Sequence, residues 1–132
     1  MKMNPVVHSK LPAEDRDRMS DFYSKVFGWK PTKYGPEMGN YVVVATIETD
    51  EKRMIRTPGA INGGFFPKTP DNPMAAPSVV ISVDNISEHM EKVKQGGGKI
   101  IGKPMEIPNV GKYVVFVDTE GNLLSMMQSI KM

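Results

Sequence analysis

The spacing of hydrophobic and polar positions changes in a regular order along this chain. It alternates at the start, where Val7, Ser9 and Leu11 oppose Val6, His8 and Lys10, so Val6 to Lys10 predicts a short strand ended near Pro12. Met19, Phe22, Tyr23, Val26 and Phe27 then share one helical face. Asp15 and Asp17 suit the positive N-terminal end of that helix, and Gly28 stops it. Trp29 to Tyr34 reads as a short strand and Gly35 to Gly39 as a turn. Tyr41 to Glu48 reads as a long strand, and Thr49 to Arg53 as a polar hairpin loop. Gly59 to Phe66 reads as a fourth strand, with Gly63-Gly64 as a bulge near its end or a place where a ligand approaches the backbone.

The stretch from Pro67 to Pro77 contains Pro67, Pro70, Pro73 and Pro77 and predicts an extended linker, because proline cannot donate to a ladder. Beyond it the same order returns. Ser78 to Val83 is a strand. Asn85 and Glu88 form a capping pair for a helix with Ile86, Met90 and Val93 on its buried stripe, ended by Gly96-Gly97-Gly98. Lys99 to Gly102 is a short strand, Tyr113 to Asp118 a long one, Thr119 to Asn122 a turn and Leu123 to Ile130 the last strand.

The two series share more than order. Gly39-Asn40-Tyr41-Val42-Val43-Val44 returns, about half the chain later, as Gly111-Lys112-Tyr113-Val114-Val115-Phe116. A repeat at that offset predicts one domain over residues 1–132 built from two modules, 4–66 and 78–130, joined by a linker at 67–77. Paired modules imply a cleft. Alternation puts the apolar set Val79, Ile81 and Val83 beneath a helix, and Ser78, Val80 and Ser82 on the other face. In the last strand, Leu124 and Met126 oppose Leu123, Ser125 and Met127. His8, Ser78 and Ser125 therefore fall on faces turned away from the helices.

Composition narrows the function. The 17 basic and 15 acidic residues leave a net charge of +2, which argues against a dedicated nucleic-acid binder. There are no cysteines, so disulfides, thiolate nucleophiles and zinc–thiolate sites are excluded. No stretch has the length of a membrane span or signal peptide, and a cytoplasmic protein is expected. Of the 11 methionines, Met19, Met90 and Met126 are expected in the core.

The order βαβββ twice resembles the vicinal-oxygen-chelate superfamily of glyoxalase I, extradiol dioxygenases and bleomycin-resistance proteins. The resemblance is carried by Phe22-Tyr23-Ser24-Lys25-Val26-Phe27-Gly28-Trp29, by Val83-Asp84-Asn85 with Gly96-Gly97-Gly98-Lys99, and by Phe116-Val117-Asp118-Thr119-Glu120-Gly121-Asn122-Leu123. Thr119 stands where the family usually has proline. The resemblance implies an α+β fold: two βαβββ modules in a curved, mostly antiparallel sheet around a cleft. It also implies a homodimer.

The family's enzymes hold one divalent metal with His and Glu ligands from four strands. Carried over, the first ligand is His8. The second position is Ser78 and the last is Ser125, while Ala60 to Phe66 contains no acid for the remaining one. Serine hydroxyls are poor ligands beside imidazole or carboxylate. No metal and no other cofactor is therefore expected. His8 has two open readings: an acid–base or anchoring group, since imidazole titrates near neutrality, or a residue that only hydrogen-bonds in the cleft. His89 reads as a half-exposed helix residue, and Trp29 as packing at the helix end.

The expectation is a small-molecule binding protein without a metal, its ligand held by His8, Phe66, Ser78, Val80, Tyr113, Ser125 and Met127. The rival expectations are a lyase, isomerase or dioxygenase-type enzyme using His8 or an atypical metal site, and a non-catalytic dimeric interaction domain. Neither nucleic acid nor membrane is an expected partner.

Overall fold

The computed structural model describes residues 2–52, 54–68 and 76–130. Arg53, in the expected hairpin loop, and 69–75, most of the expected linker, lie outside the described residues. The chain forms two compact units: His8–Pro77, and Met1–Val7 together with Ser78–Met132.

In the first unit the elements run β1 (Val6–Ala13), α1 (Arg16–Phe27), β2 (Lys30–Lys33), a 3-10 turn (Pro36–Met38), β3 (Val42–Ala45) and β4 (Asn62–Pro67). Their order across the sheet is β2-β3-β4-β1. β4 is parallel to β1 and antiparallel to β3, and β2 is antiparallel to β3. Asp15 caps α1 by accepting a hydrogen bond from the Arg18 amide at 3.0 Å, a contact worth about 1 kcal/mol. Gly28 ends it in the left-handed region at φ 73°, where only glycine is unstrained.

The core of this unit is Ala13, Val42, Val44 and Phe65, with Leu11, Met19, Tyr23 and Trp29 packed against it. Trp29 stacks on Tyr23 with ring centres 4.6 Å apart, so it closes the helix end as expected. The predicted apolar stripe of α1 is buried only in part: Phe22, Val26 and Phe27 are 53%, 56% and 60% exposed. β3 is also shorter than its alternation predicts. The Thr46 amide donates to the Asn62 side chain at 2.9 Å and its hydroxyl to the Ile61 carbonyl at 2.6 Å, so side-chain bonds replace the ladder there.

The second unit holds β5 (Ser78–Ser82), α2 (Ile86–Gln95), β6 (Lys99–Ile107), β7 (Gly111–Val117) and β8 (Leu123–Ser129). Their order is β5-β8-β7-β6, with β5 and β8 parallel and the other pairs antiparallel. β6 continues to Ile107, past the predicted end at Gly102, because its register shifts between Ile101 and Met105 and then resumes along β7. Asn85 caps α2 through the Glu88 amide at 3.1 Å. Val83, Ile86, Val114, Phe116 and Met126 form the core, with Ile81, Met90 and Val93 packed on it. The N-terminal residues join this unit: the Ser82 amide donates to the Pro5 carbonyl at 2.9 Å, and Lys2 pairs with Asp84 at 2.7 Å.

The motif Asp118-Thr119-Glu120-Gly121-Asn122 is a turn held by one carboxylate. Asp118 accepts from the Glu120 amide at 2.8 Å and from the Asn122 amide at 2.9 Å. It also accepts from the Asn122 side chain at 3.0 Å. These bonds, led by that from the Asn122 side chain, hold the Asp118 carboxyl below the usual carboxylate range. The two units thus give an α+β fold of paired βαβββ elements in mostly antiparallel strands.

Candidate functional site

Each unit places a tyrosine hydroxyl against the helix-free face of its strands, and the two tyrosines are the repeat's own pair. In the first unit, alternation carries Leu11, Ala13, Val42, Val44 and Phe65 to α1. His8, Lys10, Tyr41, Val43, Gly64 and Phe66 fall opposite. Nε2 of His8 and Oη of Tyr41 share a hydrogen bond of 3.0 Å, with the rings edge-on.

Gly64 explains how the phenol fits. A Cβ on Gly64 would overlap both the hydroxyl and the ring of Tyr41. The pairings of Val42 to Val44 with β4, and of Ser9 and Lys10 with Gly63 and Gly64, run on without a register shift. Gly63-Gly64 is therefore not a bulge. At Gly64 the close approach is made by the protein's own side chain.

Register also identifies the missing fourth position. Val43 pairs with Gly64 as its repeat counterpart Val115 pairs with Ser125. Gly64 and Ser125 are thus equivalent, one on β4 and one on β8.

Lys10 is buried at 6% exposure, and its Nζ lies 5.6 Å from the centre of the Phe66 ring. That contact offsets part of the desolvation of an ammonium. Burial, and then the charge of Lys10, lower the His8 pKa from 6.5 to about 4. The imidazole is consequently neutral at pH 7 and a poor proton acceptor.

In the second unit Ser78, Val80, Tyr113, Ser125 and Met127 lie opposite the face that meets α2. Val80 and Ser125 are paired and both buried. The Ser125 hydroxyl donates to the Tyr113 hydroxyl at 2.8 Å. The Ser78 hydroxyl donates to the Leu123 carbonyl at 2.7 Å. Met127 is half-buried and pairs with Tyr113. His89 lies apart from these residues: its Nε2 is 3.1 Å from the Asn4 side-chain oxygen, and its buried Nδ1 has no hydrogen-bond partner.

Neither unit supplies ligands that fit a divalent cation: the first offers an imidazole tied to Tyr41 and a glycine, the second two hydroxyls tied to Leu123 and Tyr113. The Lys10 ammonium on the His8 face opposes a second positive charge. Among the described residues no group of three or more His, Cys, Asp or Glu side chains is placed to hold a metal.

A separate pocket of about 500 Å3 opens beside the N-terminal end of α1, where Met19, Phe22 and Tyr23 meet Arg18 and Lys68. Its charges have other duties, since Lys68 faces Glu14 at 3.9 Å and Asp15 caps the helix. Alternation made the His8 face legible, but Lys10, Tyr41 and Gly64 were not among the expected site residues. The signals were present: Lys10 is two positions from His8 on one strand face, and Tyr41 is the repeat partner of Tyr113.

Paired βαβββ units of this topology define a glyoxalase-like α+β protein. The chain belongs to the Glyoxalase/Bleomycin resistance protein/Dioxygenase superfamily, whose model matches residues 5–126. It is similar to a glyoxylase-like domain-containing protein of Didymella fabae, 32% identical over 86% of this chain and 84% of the relative. It is also similar to the anthracycline biosynthesis protein DnrV of Streptomyces peucetius, 26% identical over 84% of this chain. The match spans 42% of that longer protein.

Among solved structures, a Streptomyces coelicolor methylmalonyl-CoA epimerase variant in complex with 2-nitronate-propionyl-CoA matches with a TM-score of 0.71 at 14% identity. That match covers 98% of this chain and 100% of the other. A hypothetical protein from Bacillus halodurans matches with a TM-score of 0.69 at 16% identity, covering 99% and 98%. At these identities the likeness is one of fold. No helix among the described residues is long and apolar enough to cross a membrane.

Proposed function

We propose that this chain binds a small organic molecule on a helix-free strand face, without a divalent metal. The observation that carries the reading is the His8–Tyr41 hydrogen bond over Gly64. It engages the one imidazole inherited from the family's ligand set and fills the space of a second ligand with a phenol. His8, Phe66, Ser78, Val80, Tyr113, Ser125 and Met127 remain the proposed ligand-binding residues, each on the helix-free face of its own unit, and Lys10 and Tyr41 join them. A relative named for anthracycline biosynthesis and a solved epimerase holding 2-nitronate-propionyl-CoA support an organic ligand.

The depressed pKa of His8 supports binding over acid–base catalysis by that residue. Metal analysis of protein purified without an affinity tag, with thermal-shift screening of a metabolite library, tests the proposal. The expected result is no stoichiometric Ni, Zn, Fe or Mn, and a ligand shift that survives His8→Ala. Stoichiometric metal sinks it.

A second reading, self-association as a homodimer, is supported by the exposed Phe22, Val26 and Phe27 on α1. Sedimentation of the wild type against Phe22→Ser/Phe27→Ser tests it, and identical mass for both rejects that face as the contact.

A further inference from the structure

The pocket of about 500 Å3 beside α1 lies wholly within the first unit, where the end of β1 and Lys68, just past β4, meet the first turns of the helix. Its volume falls in the range of small-molecule sites, roughly 300–1,000 Å3. Backbone bonds fix its walls: the Lys68 amide donates to the Ala13 carbonyl at 2.8 Å, and the Met19 amide to the Asp15 carbonyl at 3.0 Å.

Its lining is largely apolar and aromatic. Tyr23 is held in place by Trp29 and Phe65, with ring centres 4.6 and 5.5 Å away. Phe22 meets Tyr23 edge-on at 5.1 Å, and Met19 is half-buried between them and the strand end. Phe22 nevertheless stays 53% exposed, so an aromatic ring on the pocket wall still has area for a ligand to cover. Of the three exposed apolar residues on the α1 stripe, it alone lines the pocket.

The charges at the rim are unequal. Glu14 is opposed by Lys68 at 3.9 Å. The Asp15 carboxylate accepts the Arg18 amide at the positive end of the helix, so that end is already capped and recruits nothing further. Arg18 is the exception. Its guanidinium is exposed and, among the described residues, has neither an ion pair nor a side-chain hydrogen bond. It stands one helical turn before Phe22, on the same side of α1. A guanidinium presents its donors in a planar fork that matches a carboxylate.

The geometry points to a second binding site, separate from the helix-free face, that takes an aromatic carboxylate: the flat ring system against Phe22, Tyr23 and Met19, the carboxylate on Arg18. The aromatic lining supplies most of the contact area, and Arg18 selects the acid over its uncharged analogue.

The test titrates 2-naphthoate, the uncharged 2-naphthamide and acetate into the intact chain. Binding is read from NMR shifts of the Arg18, Met19 and Phe22 amides and of the indole N–H of Trp29, the single tryptophan. Naphthoate is expected to bind about fivefold more tightly than naphthamide, the upper end for an exposed charge pair. Acetate, which lacks the ring, is expected to leave those signals in place. Arg18→Gln, at an exposed position, should remove the preference and leave naphthamide affinity unchanged, and Phe22→Ala should weaken both ligands.

Equal affinity for naphthoate and naphthamide, or a preference that survives Arg18→Gln, overturns the carboxylate assignment. Acetate binding as tight as naphthoate overturns the aromatic class. Shifts centred on His8, Val43 and Gly64 overturn the pocket and place the ligand on the helix-free face. An absence of shifts with every probe overturns the pocket and leaves the reading of the helix-free face untouched.

Discussion

The phenol of Tyr41 occupies the space that any side chain at position 64 would need, so Gly64 and Tyr41 are a matched pair: one residue is absent of side chain because the other lies over it. The hydroxyl placed in this way reaches His8, on the strand beside β4.

Gly64→Ala is expected to destabilise the protein by about 1–3 kcal/mol, the usual range for overpacking. The overlap involves the Tyr41 ring as well as its hydroxyl, so Tyr41→Phe should not relieve it. Tyr41→Ala should, and a double-mutant cycle in urea is expected to show favourable coupling between positions 41 and 64. Additive losses would separate the two residues.

Stability should fall in acid because of His8. Its folded pKa, about 4, lies below the unfolded value of 6.5, so the unfolded chain binds the proton first. The contribution is complete above pH 6.5 and is lost as pH falls towards 4. The loss should be roughly 2–3 kcal/mol. The Lys10 ammonium opposes protonation of the imidazole, which shares its hydrogen bond with the Tyr41 hydroxyl. Chemical denaturation at pH 7, 5.5 and 4.5 measures the slope, and His8→Gln should flatten it.

Tyr113→Phe removes the oxygen that accepts the buried Ser125 hydroxyl. Loss of one such hydrogen bond costs about 0.5–1.5 kcal/mol. The paired substitution Tyr113→Phe/Ser125→Ala should cost less than the sum of the two single losses, because both single variants break the same bond. Urea midpoints of the single and double variants decide the point.

Helix α1 should respond unevenly along its apolar stripe. Tyr23 stacks on Trp29 and packs against Phe65 with ring centres 5.5 Å apart, so Tyr23→Ala should cost about 3–5 kcal/mol. Phe27 is 60% exposed, and Phe27→Ser should change stability far less. Equal losses at both positions would mean that the stripe is buried throughout in solution.

Much of the fold was legible because it depends on local rules. The capping of α1 by Asp15 and Gly28, and of α2 by Asn85, follows from residues within a turn of each helix end. The core positions Val83 and Met126 follow from alternation. The βαβββ order and the family resemblance rest on the same local signals. The site was legible only as faces. His8, Ser78 and Ser125 could be placed opposite the helices, but nothing local tells that the Ser78 hydroxyl turns to the Leu123 carbonyl or that Tyr41 crosses to His8.

The order of elements, their caps and the alternation of side chains along each strand were determined by the sequence alone, since backbone period and left-handed glycines act over a few residues. The short β3, the half-exposed stripe of α1, the burial of Lys10 and the fit of Tyr41 over Gly64 were decided by tertiary structure. Each of these depends on which atoms a side chain meets from strands distant in the chain. Volume and charge at those meetings do not follow from spacing.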